Sequence, residues 1–508
     1  MLPLHRVIGL AAVHPVAIDA DAHATNGLPP TILARPGAGP PLGPPGARPW
    51  DLPIAVNGWG PMTPPLPPEQ LPLDPPLASP AGPLALTPGA AAEVLWQRLQ
   101  ADRWPVPRAA LPADAALVGG AVRDGLLDRL AERPDLDLVV GDDAIGLCRR
   151  LAQEHGGCAV VLDPQRDIAR LVVRGWSLDL ARRCGGSLAA DLARRDYRIN
   201  AIALPLGPGQ PLLDPLGGLA DLEARQLVAV GEANLLDDPL RLLRGIRLAA
   251  QLDFGLETGT WAWIQRHHQR LAGVAGERVL AELDKLAAAP LGHRGLLQAL
   301  AAGLLQPWGA DGQAAAALEW LSPEQAETSG LTPEERQQAL PVARLARLFD
   351  AKALGGLRAS RKLQQRCQRL RQWWQRLESG APGQGANQDP GAPQALDPGP
   401  AIAALSEPER LALQLQLEPD LPALLLAWPA PLARTWLERW RNPGDPLFHP
   451  SPPLDGRSMQ TELGLAPSRR LGELLDQLML ERAFGRIGNR EQALIWSRQA
   501  LGPGNTPG

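Results

Sequence analysis

The chain has 508 residues, length for about three domains at roughly 150 residues each. Its formal net charge of −4 gives no global basic field, although a local basic stripe is enough for phosphate contact. No apolar run approaches the ~20 residues of a membrane span and no secretory pattern opens the chain, while Cys148, Cys158, Cys184 and Cys367 lack CxxC spacing; together these read as a cytoplasmic protein with reduced thiols.

Residues 1–85 are rich in Pro, Gly and Ala ("PGAGPPLGPPGARPW"). Such a segment buries too little apolar surface to offset its ordering entropy and reads as a disordered arm. Initiation at Met62 would lose nothing foldable, which an intact mass would decide. Order begins at "TPGAAAEVLWQRLQA", a Thr cap ahead of apolar residues at helical spacing. Then follow "AALVGG" (strand), "AVRDGLLDRL" (helix), "DLDLVV" (strand), "AIGLCRRLAQEHG" (helix) and the short strands "CAVVLD", "IARLVVRG" and "WSLDLA". The expected fold class is α+β: a mixed sheet with helices over 86–205, then an all-α remainder. Its parts are read as 206–290, 291–377 and 401–500, with a Pro/Gly-rich linker or loop at 378–400 and a frayed tail at 501–508.

Asp135 and Asp137 lie one residue apart in the second strand, so both side chains point to one face. Two partly buried carboxylates repel and call for a cation, and Mg²⁺ with oxygen ligands is the natural one. A D-x-D pair alone is weak, since most are solvated surface. Gly119 and Gly120 strengthen it, because glycine at a strand-to-helix turn permits close backbone approach to phosphate. The pair of motifs points to a nucleoside triphosphate with a metal. Arg194, Arg195 and Asp196, in "LARRDYRINAIAL", suit a nucleotide too, with Arg for phosphate and Asp for a ribose hydroxyl.

With "LVGGAVRDGLL", "DLDLVV", "DLARRDYRINAIA", "DPLGGLADL", "DDPLRLLRGIRLAAQLDF" and "ERVLAELDKL" in this order, the chain resembles the class II tRNA nucleotidyltransferases and bacterial poly(A) polymerases. The likeness is continuous over about 115–290 and resumes at "LGLAPSRRLGELLDQLMLERAFGRIGNREQAL". It implies a polymerase β-like head, then a neck carrying base-recognition helices, a body and a tRNA-binding tail. By that resemblance Asp135 and Asp137 bind metal. Gly119, Gly120 and Arg123 contact the triphosphate, and Asp124 pairs locally. Arg194, Arg195 and Asp196 recognise the ribose. Asp214, Gly218 and Asp221 form a springy element, Asp238 and Arg241 read the base, and Glu277 and Arg278 support the base-reading helix. A third catalytic carboxylate is expected from a later strand, with Asp179 as the candidate. The partners implied are tRNA, CTP and ATP.

The base reader also makes sense from its chemistry. Asp238 and Arg241, at i and i+3, are expected on one helix face. A carboxylate accepts from cytosine N4 while a guanidinium donates to O2 and N3; adenine fits after a small shift. U and G each leave a group unpaired, at ~1–3 kcal/mol apiece.

Departures from the family pattern are Asp237 where Glu is common, no arginine in "LVAVG", and Tyr197 and Arg198 where Phe and Thr are common. The segment between Asp179 and Asp191 is short, as in CC-adding relatives. CC addition, CCA addition, A addition and poly(A) addition all stay open, as does a non-catalytic RNA-binding protein that kept the fold. The segment 358–377 places Arg358, Arg361, Lys362, Arg366 and Arg369 on one expected helix, either as a grip on RNA phosphates or as a solvated face with Trp373 and Trp374 in the core.

Overall fold

The computed structural model describes residues 87–379 and 398–502, all within one compact unit. The readings of 1–85 as a disordered arm, of 378–400 as a linker and of 501–508 as a frayed tail fall almost wholly outside those residues.

Helix α1 (Pro88–Leu99) starts where the Thr87 hydroxyl accepts from the Ala90 amide, 3.3 Å away, with Pro88 at its first position. The sheet is built from β1 (Ala116–Val118), β2 (Leu136–Val140), β3 (Cys158–Asp163), β4 (Ile168–Val173), β5 (Trp176–Arg182) and β6 (Ala203–Pro205). Its order is β3-β4-β5-β2-β1-β6, with β2 and β5 parallel and the other pairs antiparallel. Helix α2 (Gly120–Leu126) joins β1 to β2, and α3 (Ala144–His155) follows β2. The α2 helix is shorter than its sequence pattern, because the backbone turns left-handed at Asp128 (φ 58°).

The period-2 alternation decides what each face does. Leu136, Leu138 and Val140 of β2 point with Ala169, Leu171, Val173, Leu178 and Leu180 towards Leu147, Cys148 and Leu151 of α3, in the main core. The opposite face carries Asp137 and a small satellite core of Ala116, Val118, Val139, Leu192, Ala201 and Ala203. The carboxylate therefore sits on a packed floor, next to solvent rather than inside the main core.

After α4 (Leu188–Leu192) and β6 the chain becomes helical. The all-helical expectation misses one detail: β7 (Gln226–Leu227) and β8 (Gly255–Leu256) pair in parallel. The helices are α5 (Gly218–Glu223), α6 (Glu232–Asp237), α7 (Leu240–Leu252), α8 (Thr258–His267), α9 (Gly276–Ala288) and α10 (Gly292–Ala301). Then come α11 (Ala315–Glu319), α12 (Pro323–Thr328), α13 (Pro333–Leu348), α14 (Ala351–Gly356) and α15 (Arg361–Ser379). Helix α7 is the spine of this region, buried along nearly its whole length against α9 and α10. Its Arg247 meets Glu282 of α9 at 2.7 Å, both buried, so the two charges offset each other's desolvation.

One buried arginine ties α13 to the end of α9 and to the turn after α11. Arg344 has no exposed surface and donates to the carbonyls of Ala287 (2.6 Å), Ala289 (2.9 Å) and Leu321 (2.8 and 3.0 Å). It satisfies the Ala287 and Leu321 carbonyls and shares the Ala289 carbonyl with the Gly292 amide, 2.9 Å away. Beside it His293 is buried, and its Nδ1 has no hydrogen-bond partner among the described residues. Burial, with Arg344 and Arg294 nearby, pushes the imidazole down to about 4. A base held neutral in the fold stabilises above its unfolded pKa of 6.5 and loses that contribution as pH falls towards 4. The melting temperature is therefore expected to drop between about pH 6.5 and 4, and His293→Phe is expected to flatten that slope. Thermal unfolding of both proteins across this range checks it; parallel curves would refute the assignment.

The remaining helices are α16 (Gly399–Ala404), α17 (Glu407–Leu417), α18 (Leu421–Leu425), α19 (Ala430–Arg441), α20 (Gly456–Leu463), α21 (Arg469–Ala483) and α22 (Arg490–Leu501). The last three enclose their own core of Leu454, Met459, Leu463, Leu471, Leu474, Leu478, Ile487 and Ala493. Among the described residues no helix is long and apolar enough to cross a membrane.

Candidate active site

Gly119 closes β1 with φ 74°, a backbone conformation L side chains avoid. A Cβ there would lie 2.9 Å from Asp137 Oδ2 and 3.6 Å from an Arg195 guanidinium nitrogen. Gly119 is thus explained by contact, since the backbone turns where a carboxylate and an arginine need the space; a Cβ on Gly120 would meet only an Arg123 guanidinium nitrogen at an ordinary 3.8 Å. Asp137 stands opposite Val118 on one side and Asp179 of β5 on the other. Asp135 precedes β2 and is exposed. Burial, then Asp179 and Asp135, push the Asp137 carboxyl up to about 6 against the pull of Arg195.

A carboxylate cluster left this repulsive, half-buried and all-oxygen, fits a hard divalent cation. Among the described residues no group of three or more acidic, histidine or cysteine side chains is placed to hold a metal ion. Asp179 instead makes a two-pronged pair with Arg170 of β4, at 2.7 and 2.8 Å.

The other expected nucleotide residues gather on the β1 side. Arg123 is buried and its guanidinium is engaged internally, by Asp124 at 2.8 and 2.9 Å and by Asn200 at 2.7 Å. Arg194 is exposed. Arg195 reaches Asp191 at 3.3 Å, and its buried Nε has no partner among the described residues. Asp196 is buried and satisfied: it accepts from the Tyr197 amide (2.8 Å) and Asn200 (3.1 Å), and pairs with Arg244 at 3.1 Å. Burial alone would raise this carboxyl; Arg244, Asn200 and the amide together hold it below the usual carboxylate range.

Asp238 and Arg241 come together differently from the helix face expected. Asp238 lies in the break between α6 and α7 with extended backbone (φ −143°, ψ 99°), and only Arg241 is helical. Pro239 is the cause, since its ring disfavours helical backbone in the residue before it. The Asp238 carboxylate is held by Arg278 of α9 at 2.8 Å and also accepts from the Leu240 amide at 3.3 Å. Arg241 Nη1 donates to the carbonyls of Asn234 (2.7 Å) and Arg194 (3.2 Å), which leaves Nε and Nη2 for a ligand. Asn234 in turn donates to the carbonyls of Ala193 and Arg195, both at 2.8 Å.

Tyr197, one of the departures noted in the sequence, acquires a reason. Its buried hydroxyl donates to the Arg241 carbonyl at 2.7 Å, and Gly245 has no Cβ because that hydroxyl would meet it. The ring locks α7 to the end of the head. In the springy element, Asp214 accepts from the amides of Gly218 (2.7 Å) and Leu219 (2.8 Å), starting α5.

Sequence reasoning missed Arg170, Asn200, Asn234 and Arg244. Arg244 had a signal, since it follows Arg241 at the i+3 helical spacing. Arg170 had one too, as the charged residue within "IARLVV".

On the helical body, α15 starts at Arg361, and Arg358 precedes it with φ 61°. Trp373 and Trp374 are core. Arg366 grips the buried Asp420 at 2.6 Å, and Arg371 donates to the carbonyls of Ala346 and Arg347 at 2.8 Å. Arg358, Arg361, Lys362 and Arg369 stay exposed, with Arg369 beside a cleft lined by Gln365, Gln368, Gln372 and Gln416.

Residues 115–228 match the poly A polymerase head domain, and 253–308 match the "probable RNA and SrmB- binding site of polymerase A". A CC-adding tRNA nucleotidyltransferase of Synechocystis sp. is 35% identical over 428 residues, spanning 78% of this chain and 95% of the relative. One of Geobacter sulfurreducens is 33% identical, spanning 75% and 90%. The fold is shared with the Thermotoga maritima CCA-adding enzyme complexed with tRNA, at TM-score 0.55 and 19% identity over 81% of this chain and 98% of that one. With an α+β head, an all-α remainder and relatives matched almost end to end, the chain belongs to the class II tRNA nucleotidyltransferase and poly(A) polymerase family.

Proposed function

We propose that the chain is a CC-adding tRNA nucleotidyltransferase, extending the 3′ end of tRNA from CTP without a template and releasing pyrophosphate. The observation that carries nucleotidyl transfer is the carboxylate row of Asp137 and Asp179, flanked by Gly119 and Arg195. Two features favour CC addition. The connection from β5 to α4 is only residues 183–187, and the relatives of Synechocystis and Geobacter are both described as CC-adding.

In this reading Asp135 and Asp137, with Asp179 as the candidate third carboxylate, would hold Mg²⁺. When bound, the ion lowers the pKa of the RNA 3′-hydroxyl and neutralises the triphosphate. Arg195 lies against Asp137 to meet phosphate, with Gly119 leaving the backbone close. The RNA 3′-oxygen bonds to the α-phosphorus of CTP as the bond to pyrophosphate breaks. Asp238 and the free nitrogens of Arg241 present an acceptor and donors to the cytosine edge. Asn234 and Tyr197 fix that reader to the segment bearing Arg195. We assign 86–205 as head, 206–290 as neck, 291–377 as body and 401–500 as body and tail. Arg358, Arg361, Lys362 and Arg369 are assigned to RNA phosphates, with Arg366 committed to Asp420. The cytoplasm fits four free cysteines, two of them exposed.

The test is incubation with tRNA lacking its 3′ CCA and labelled CTP or ATP, followed by sequencing of the ends. Two cytidines from CTP, with no A added, are expected. Addition of A after CC, or of an A tract, would reassign the activity within the family. No incorporation, with Asp135→Ala indistinguishable from wild type, would favour a non-catalytic RNA-binding protein.

A further inference from the structure

The face of the sheet that carries Asp137 does not end at Asp179. Directly opposed residues on neighbouring strands share a face, so the registers define one row: Asp137 of β2, Asp179 of β5, Arg170 of β4 and Val160 of β3. The adjacent row holds Ser177, Val172 and Cys158. On this face Val160 and Val172 are each 44% exposed, and Cys158 is exposed as well. The reverse face of β4 is ordinary core, with Ala169, Leu171 and Val173 against α3. A solvated sheet face is normally polar. Here apolar residues lead away from the catalytic carboxylates to an open edge, with Arg170 as their one cation.

The reaction dictates what must lie there. The nucleotide groups Gly119, Arg195, Asp238 and Arg241 are all on the β1 side of Asp137 or beyond it. Attacking and leaving oxygens stand roughly in line across the α-phosphorus. A triphosphate on the β1 side therefore brings the RNA 3′-hydroxyl in from the β5 side. The nucleotides preceding that hydroxyl then lie over β4 and β3, where Val160 is two strands, ~10 Å, from Asp179.

We propose that the exposed β3–β4 face is the track for the RNA 3′ end, with Val172 and Val160 beneath its last sugars and bases and Arg170 reaching its last internucleotide phosphate. Arg170 is paired with Asp179 at 2.7 and 2.8 Å; were Asp179 to hold a cation, the Arg170 guanidinium would be free to reach that phosphate. The track rests on the nucleotidyl-transfer reading above, and its test separates the two.

Val160→Glu puts a negative charge on the track, and Val161→Glu puts the same charge one residue away on the opposite face, at a position 37% exposed. With tRNA lacking its CCA as primer, Val160→Glu is expected to raise KM for tRNA about tenfold or more while KM for CTP stays within about twofold. Val161→Glu is expected to leave both KM values within about threefold of wild type. A wild-type protein that adds neither cytidine nor adenosine to tRNA ends lacking CCA or ending in CC refutes the nucleotidyl-transfer reading. A wild-type protein that adds either, with the two variants alike in KM for tRNA, refutes the track. A second measurement does not depend on variants folding: near-UV crosslinking of a primer with 4-thiouridine as its penultimate nucleotide. Crosslinks within residues 158–173 are expected, and crosslinks confined to other segments overturn the proposal.

Discussion

Asp137→Asn is expected to abolish nucleotide addition while making the metal-free protein more stable. The two effects have one cause. The carboxylate is held against Gly119 between Asp135 and Asp179, where burial and like charges raise it to about 6 from an ordinary 3.8. A carboxyl raised in the fold carries no penalty below about pH 4, an increasing one from pH 4 to 6, and its full penalty above. A tenfold change in proton affinity is worth about 1.4 kcal/mol, and solvent screening of a half-buried group brings the penalty to about 1–2 kcal/mol at pH 7. Asn keeps the shape and removes the charge, so the melting temperature should rise at pH 7 and be unchanged near pH 4. Addition of Mg²⁺ should raise the melting temperature of wild type and leave the variant nearly unmoved. On activity, if Asp137 holds the metal as proposed, its loss is expected to remove several kcal/mol of transition-state stabilisation, a fall of about a thousandfold or more in kcat. A variant that is active, or one that is less stable at pH 7, would show that Asp137 is not the charge-stressed centre of the site.

How much of this was legible in the sequence depends on distance along the chain. The tight turn at Gly119 and the alternation that sets Asp137 apart from the main core were legible, because both are local rules, but their contact was not. The α+β head and helical remainder were legible for the same reason. Strand register was not, so the Arg170–Asp179 pair stayed hidden although both residues lie in strands identified from the pattern. The motif around Asp196 suggests a ribose contact; its burial and its pairing with Arg244 depend on how α7 docks, which no local rule reports. Arg366 looks like one more exposed charge until Asp420, 54 residues on, folds back onto it. The helical placing of Asp238 is a different case, because the Asp-Pro step that breaks the helix was in plain view.

That break gives the proposed base reader its support, and with it the largest expected effect on specificity. Because Asp238 is outside the helix, α7 does not fix its carboxylate; Arg278 of α9 does, at 2.8 Å. Asp238→Ala removes the acceptor for cytosine N4, while Arg241 still donates to O2 and N3 through nitrogens not used by Asn234 and Arg194. Uridine then meets one fewer mismatch, since no carboxylate opposes its O4. Discrimination of CTP over UTP in kcat/KM is expected to fall about 10- to 100-fold, the value of one ~1–3 kcal/mol unpaired buried group. Arg278→Ala is expected to lower it less, by about 3- to 10-fold, because the acceptor remains but loses its fixed position. The double variant should match Asp238→Ala alone, since Arg278 acts on the base only by holding that carboxylate. Competition assays with CTP and UTP on tRNA lacking its CCA measure all three. If the two single losses multiply in the double variant, Arg278 has its own contact with nucleotide or RNA, and the support role assigned to the start of α9 is wrong.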